Sequence, residues 1–86
     1  MELNILIKNI KSKLLSSSLV EDVVIEDKTY LHFKHTSHDK SKFHIKLTIF
    51  SKNLKILSKI DATKKIHNIL HLEIKNYIHS IQILFK

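Results

Sequence analysis

The sequence predicts an α+β domain: a three-stranded sheet covered by helices on one face, in the order α-β-β-α-α-β. Three observations carry this. Apolar residues recur at helical spacing near the N-terminus, and they alternate with polar ones along 43–49 and again along 77–85. A chain of 86 residues gives one domain, spanning residues 1–86, with one modest core.

The elements follow in order. Leu3, Leu6, Ile7, Ile10 and Leu14 mark one face of a helix over 2–15, with Glu2 at its positive end and Lys11 and Lys13 near the other. Ser16, Ser17 and Ser18 end it. Val20 to Ile25 is rich in β-branched residues and reads as a first strand, with an extension toward Phe33. The polar stretch from His35 to Lys42 reads as a loop. Phe43, Ile45, Leu47 and Ile49 then alternate with His44, Lys46 and Thr48, the period of a half-buried strand. Ser51 to Lys59 reads as a short helix or turn. Ser58 or Asp61 is placed to cap a longer helix whose apolar face is Ala62, Ile66, Ile69 and Leu70. The closing strand carries Tyr77, His79, Ile81, Ile83 and Phe85 on one face. No repeat, linker or low-complexity tract interrupts this plan.

Composition removes many activities. Without glycine there is no phosphate-cradling P-loop, dinucleotide fingerprint or nucleophile elbow, since each needs glycine where the backbone turns sharply or meets phosphate. Without cysteine there is no disulfide, thiol catalysis or cysteine-ligated metal centre within the chain. Fifteen lysines and no arginine against eight acids give a net charge of +7, a balance that favours acidic partners. Part of that excess matches a coding bias that also supplies fourteen isoleucines. No stretch reaches the ~18–20 apolar residues of a membrane span, and no secretory signal layout is present, so a cytoplasmic protein without membrane partners is expected.

Three local patterns resemble the BolA-like protein family over roughly residues 20–85. Phe43-His44-Ile45-Lys46-Leu47-Thr48-Ile49-Phe50-Ser51 is similar to the family's Ser-His-Phe strand that ends in a serine. Ile78-His79-Ser80-Ile81 is similar to its Ile-His-Ala-Leu signature, and His35-Thr36-Ser37-His38 stands where members carry a histidine-rich loop. The resemblance implies a KH-like fold. It also implies a non-catalytic adaptor in iron–sulfur cluster assembly or trafficking, which shares a [2Fe–2S] cluster with a monothiol glutaredoxin and its glutathione. Two departures are clear: Leu54-Lys55-Ile56 replaces Phe-x-Gly, and Ala62-Thr63-Lys64 replaces Arg-His-Arg.

The chain holds seven histidines. Alternation alone sets His79 among Tyr77, Ile81 and Ile83, as a core-edge histidine bonded to backbone. The resemblance instead makes His79 the cluster ligand. It assigns the second ligand to the loop, where His35 and His38 are both candidates. Two imidazoles on one iron would resemble Rieske ligation, with every thiolate coming from the partner, so the isolated protein binds no cluster. His67 and His71 stand at i and i+4, a spacing that can grip zinc, but two ligands are not a site. His44, on the face of Lys46 and Thr48, is expected to be a supporting group.

Over residues 52–65, Lys52, Lys55, Lys59, Lys64 and Lys65 stand against a single acid, Asp61, within a helix-turn-helix region over 52–75. These lysines are the nucleic-acid candidates of the alternative reading, a DNA-binding regulator. Phosphate contacts from lysine give salt-sensitive affinity without sequence preference, and the arginine most used to read guanine is missing. Weak, non-specific DNA binding is therefore the most this region predicts. The acids Glu21, Asp22, Glu26 and Asp27 cluster locally with no nucleophile beside them, so no enzyme is expected.

Overall fold

Leu6, Ile10 and Leu14 stand one turn apart and are fully buried, and this stripe seats helix α1 (Leu3–Ser16) on the sheet. The computed structural model describes residues 2–29 and 42–86. After α1 come β1 (Asp22–Asp27), β2 (Phe43–Phe50), α2 (Lys52–Ile56), α3 (Lys59–Ile69), α4 (His71–Tyr77) and β3 (Ile78–Phe85). The loop expected over 35–42 lies outside the described residues except at Lys42; of the strand extension expected toward Phe33, β1 continues to Asp27 and the part beyond Thr29 lies outside them.

The sheet is mixed and ordered β1-β2-β3. Strand β1 runs antiparallel to β2, with Val23 opposite Ile49 and Ile25 opposite Leu47. Strand β3 runs parallel to β2, and the three intervening helices make the crossover that a parallel pair requires. Ile45, Leu47 and Ile49 turn one face of β2 into the core, where they join Leu54, Ala62, Ile66 and Leu70 from the helices. The α-β-β-α-α-β order expected from the sequence is present. No helix among the described residues is long and apolar enough to cross a membrane.

Two polar anchors fix the helices. Ser51, only 2% exposed, caps α2 by accepting from the Leu54 N–H at 3.0 Å. Its own hydroxyl donates to the Leu19 carbonyl, and its N–H donates to the Lys86 carbonyl at 3.1 Å. One buried serine thus joins the ends of β2 and β3 to the α1–β1 connection. Ser58 caps α3, accepting from the Asp61 N–H at 3.2 Å. On the opposite flank Lys13 of α1 meets Glu73 of α4 at 2.7 Å, and the Glu73 side chain is 8% exposed.

The structure corrects the sequence reading at two places. The long helix bends at Leu70 (φ −100°, ψ 18°), which separates α3 from α4. Bonds from the Leu70 N–H to Ile66 and from the Ile74 N–H to Leu70 nevertheless carry the i→i−4 pattern through the bend. Tyr77 belongs to α4 rather than to the closing strand. The second correction concerns His79.

Candidate functional site

Because β2 and β3 are parallel neighbours, their N-terminal ends lie at the same end of the sheet. This brings His44 and the pair His79–Ser80 together, although the two histidines are 35 positions apart in the chain. Pairing is irregular there. Phe43 lies opposite Ile78, but His44 lies opposite Ser80, so His79 is the extra residue of a bulge.

The bulge changes which side chains are covered. Ile78 is buried before it, while Ile81 and Ile83 turn toward the core after it, so the alternation shifts by one residue at His79. His79 is therefore exposed, not packed among Ile81 and Ile83 as strict alternation predicts. The physical reason is simple. A period-two pattern assumes an unbroken ladder, and one inserted residue inverts every later position.

His44 is the opposite kind of histidine. It is 5% exposed, and its Nδ1 lies 2.6 Å from the Ser80 hydroxyl. Its backbone N–H donates to Thr29 Oγ1 at 3.1 Å, and its carbonyl accepts from the Lys28 N–H at 2.7 Å. Thr29 is held in turn by Asp27, which accepts from both its N–H and its hydroxyl. The two imidazole centroids are 5.0 Å apart, with planes tilted by 53°. A fixed, buried ring thus lies against an exposed one, and limits where the exposed ring can turn.

Two lysines border the pair. Lys28, Lys46 and His44 border an open depression of about 450 Å³, together with Ser80 and Gln82. Lys28 also pairs with Glu26 at 2.9 Å. The hydrogen bond from Lys28, then its charge and that of Lys46, hold the Glu26 carboxyl below the usual glutamate range.

Among the described residues no group of three or more histidine, cysteine or acidic side chains could hold a metal ion. His79 is an available imidazole donor. His35 and His38 lie outside the described residues. His67 and His71 are both exposed and flank a shallow depression with Asn68 and Lys75 at the α3–α4 bend. Ser80 and Thr29 are partners that the sequence reading missed. The only linear signal for Ser80 is its place directly after the bulged histidine, and nothing local points to Thr29.

The lysine candidates belong to the two helices that follow β2. Lys52, Lys55, Lys59, Lys64 and Lys65 are all exposed on α2 and α3. The backbone N–H of Lys52 donates to a Glu21 carboxylate oxygen at 2.7 Å. The two ion pairs found among the described residues involve Lys13 and Lys28 and none of these five lysines.

Comparison with known proteins bears on this arrangement. The chain is similar to the BolA domain of SufE1 from Arabidopsis thaliana, with a TM-score of 0.74, 28% identity, and coverage of 92% of this chain and 87% of that one. It shares its fold with BolA1 from Arabidopsis thaliana at a TM-score of 0.72 and 23% identity, with coverage of 92% and 87%. A search of curated proteins finds no match. The family model for BolA-like protein matches residues 15–86, which takes in both strands of the histidine pair and the whole lysine cluster. The chain belongs to the BolA-like protein family.

Proposed function

We propose that this protein is a non-catalytic adaptor in iron–sulfur cluster handling, sharing a [2Fe–2S] cluster with a monothiol glutaredoxin and its glutathione. The observation that carries the reading is the exposed imidazole of His79, set on a bulge and backed by the buried His44–Ser80 pair. His79 would be one iron ligand and His35 or His38 the second. The cluster would gain a Rieske-like ligation, in which neutral imidazoles raise the reduction potential. His44 supports His79 from behind, in the manner of an outer-shell group. Lys28 and Lys46 favour a partner that carries thiolates and the carboxylates of glutathione.

Reconstitution tests this. Mixed with a monothiol glutaredoxin, glutathione, iron and sulfide, the protein forms a coloured heterodimer, and His79→Ala removes its histidine-ligated absorption and circular dichroism. Changing His35 or His38 to Ala gives a smaller effect. If the His79→Ala spectrum matches that of the unchanged protein, the assignment is wrong.

A second reading, DNA binding, rests on the exposed lysines of α2 and α3. A regulator would prefer one duplex sequence over random DNA by roughly 10³-fold or more. Without arginine, the surface is suited only to phosphate, so the expected result is weak binding with a steep salt dependence and no preferred sequence.

A further inference from the structure

Strand β3 is an edge of the sheet, and its outer side has no strand partner among the described residues. The backbone polarity of that edge can be read from its last residue. Lys86 donates its N–H to the Ile49 carbonyl and accepts from the Ser51 N–H, so both of its polar groups point toward β2. In a strand, successive residues point to opposite edges. Ile81, Ile83 and Phe85 therefore turn N–H and C=O outward. None of these groups has a hydrogen-bond partner among the described residues.

A groove runs along this edge, with α2 and α3 as its far wall. Toward the end of β3 it has a volume of about 290 Å³, an apolar floor of Leu54, Leu57 and Ala62, and Lys55 and Lys59 at its rim. Further back it continues for about 260 Å³ between Ile81 and the side chains of Thr63 and His67. The two stretches adjoin at Lys59 and Ile83, which line both. No acidic side chain lines either stretch.

We infer that this groove takes an extended acidic peptide segment of another protein, which adds to β3 as a fourth strand. Outward-facing N–H and C=O groups at every second residue match the donor–acceptor repeat of an extended peptide backbone. From Ile81 to Phe85 the edge spans about 13 Å, room for four or five residues. A glutamate turned to the helix side would lay its methylenes on the apolar floor and bring its carboxylate to Lys55 or Lys59. A second copy of this chain is disfavoured, because each carries a net charge of +7 and pairing like edges would align the same lysines. The inference stands apart from the histidine site and does not depend on it.

The test uses the full chain, labelled with nitrogen-15, and three probes. These are a blocked heptapeptide of alternating valine and glutamate, its valine–lysine counterpart, and a twelve-residue oligothymidine. The acidic peptide is expected to shift the amides of Ile81, Ile83 and Phe85 and to slow their hydrogen exchange. Lys55→Gln with Lys59→Gln, both exposed positions, should weaken it roughly five- to tenfold. Methylating alternate backbone nitrogens of the peptide in the hydrogen-bonding register should abolish the protection. Equal binding by the lysine peptide overturns the inference, as does no binding by either peptide. Oligothymidine shifting the same amides with greater affinity would make the groove a nucleic-acid site. Protection that appears without peptide and grows with protein concentration would make it a self-pairing edge.

Discussion

The two ends of strand β2 are built in different ways. At its start, His44 is buried and bonded to Ser80, with His79 against it and Thr29 and Lys28 fixing the backbone. At its finish, Lys52, Lys55, Lys59, Lys64 and Lys65 stand exposed around α2 and α3. Seven residue steps, roughly 23 Å, separate the ends. Metal coordination acts over about 2 Å and needs a ring held in place, so its support is buried. Attraction between ions acts over about 8–10 Å and needs only accessible charge, so its groups stay in water.

The largest effects should come from crossing the two ends. His79→Ala should abolish histidine-ligated cluster assembly and leave any DNA affinity as it was. Replacing Lys55, Lys59, Lys64 and Lys65 by Gln should leave assembly intact and flatten the slope of log affinity against log salt by up to about 3–4. A mutant set in which either change affects both functions would break the separation. Protons compete with iron for imidazole, so assembly should also weaken between about pH 7 and 5.5 while the fold persists, as followed by cluster absorption and far-ultraviolet circular dichroism.

The next effects are on stability. Lys13→Met strands the nearly buried Glu73 carboxylate and should cost about 1–3 kcal/mol, measured by urea unfolding. Lys13→Met combined with Glu73→Leu should recover much of that loss. Because this ion pair belongs to neither end of β2, cluster assembly at saturating partner should survive it. The two serines sharpen the contrast. Ser51→Ala removes a helix cap and a link to Leu19 and should cost about 1–2 kcal/mol. Ser80→Ala removes one hydrogen bond to His44, should cost about 1 kcal/mol, and should broaden the His79 ring resonances.

The smallest effect belongs to Glu26. Its folded value lies below the usual range, so its stabilising contribution is present above the unfolded value and disappears as pH falls through the folded one. The pair is well exposed, so carboxyl NMR titration is the measurement that sees it. Lys28→Ala should move the Glu26 midpoint back up.

Much of this was legible from the chain. The stripe Leu6, Ile10, Leu14 and the run Ile45, Leu47, Ile49 gave one helix and one strand their buried faces, because periodicity reports burial wherever an element is regular. Ser58 was recognisable as a cap from its place before an apolar run. The break at Leu70 was not, since no glycine or proline marks it and the i→i−4 bonds continue through it. His79 was misplaced by its pattern for the same kind of reason: a bulge has no signature in the residues that form it.

By itself, then, the sequence determined the element order, the core faces, the absence of cysteine- and glycine-dependent chemistry and the resemblance of 43–51 and 78–81 to the BolA-like family. Each of these is a property of neighbouring residues and survives any arrangement of the elements in space. Only the tertiary structure decided that His79 is exposed, that His44 is held by Ser80, and that Ile81, Ile83 and Phe85 present an unpaired edge beside Lys55 and Lys59. Those depend on register and crossover, which bring residues dozens of positions apart to within hydrogen-bond reach, and no local pattern encodes a distance of that kind.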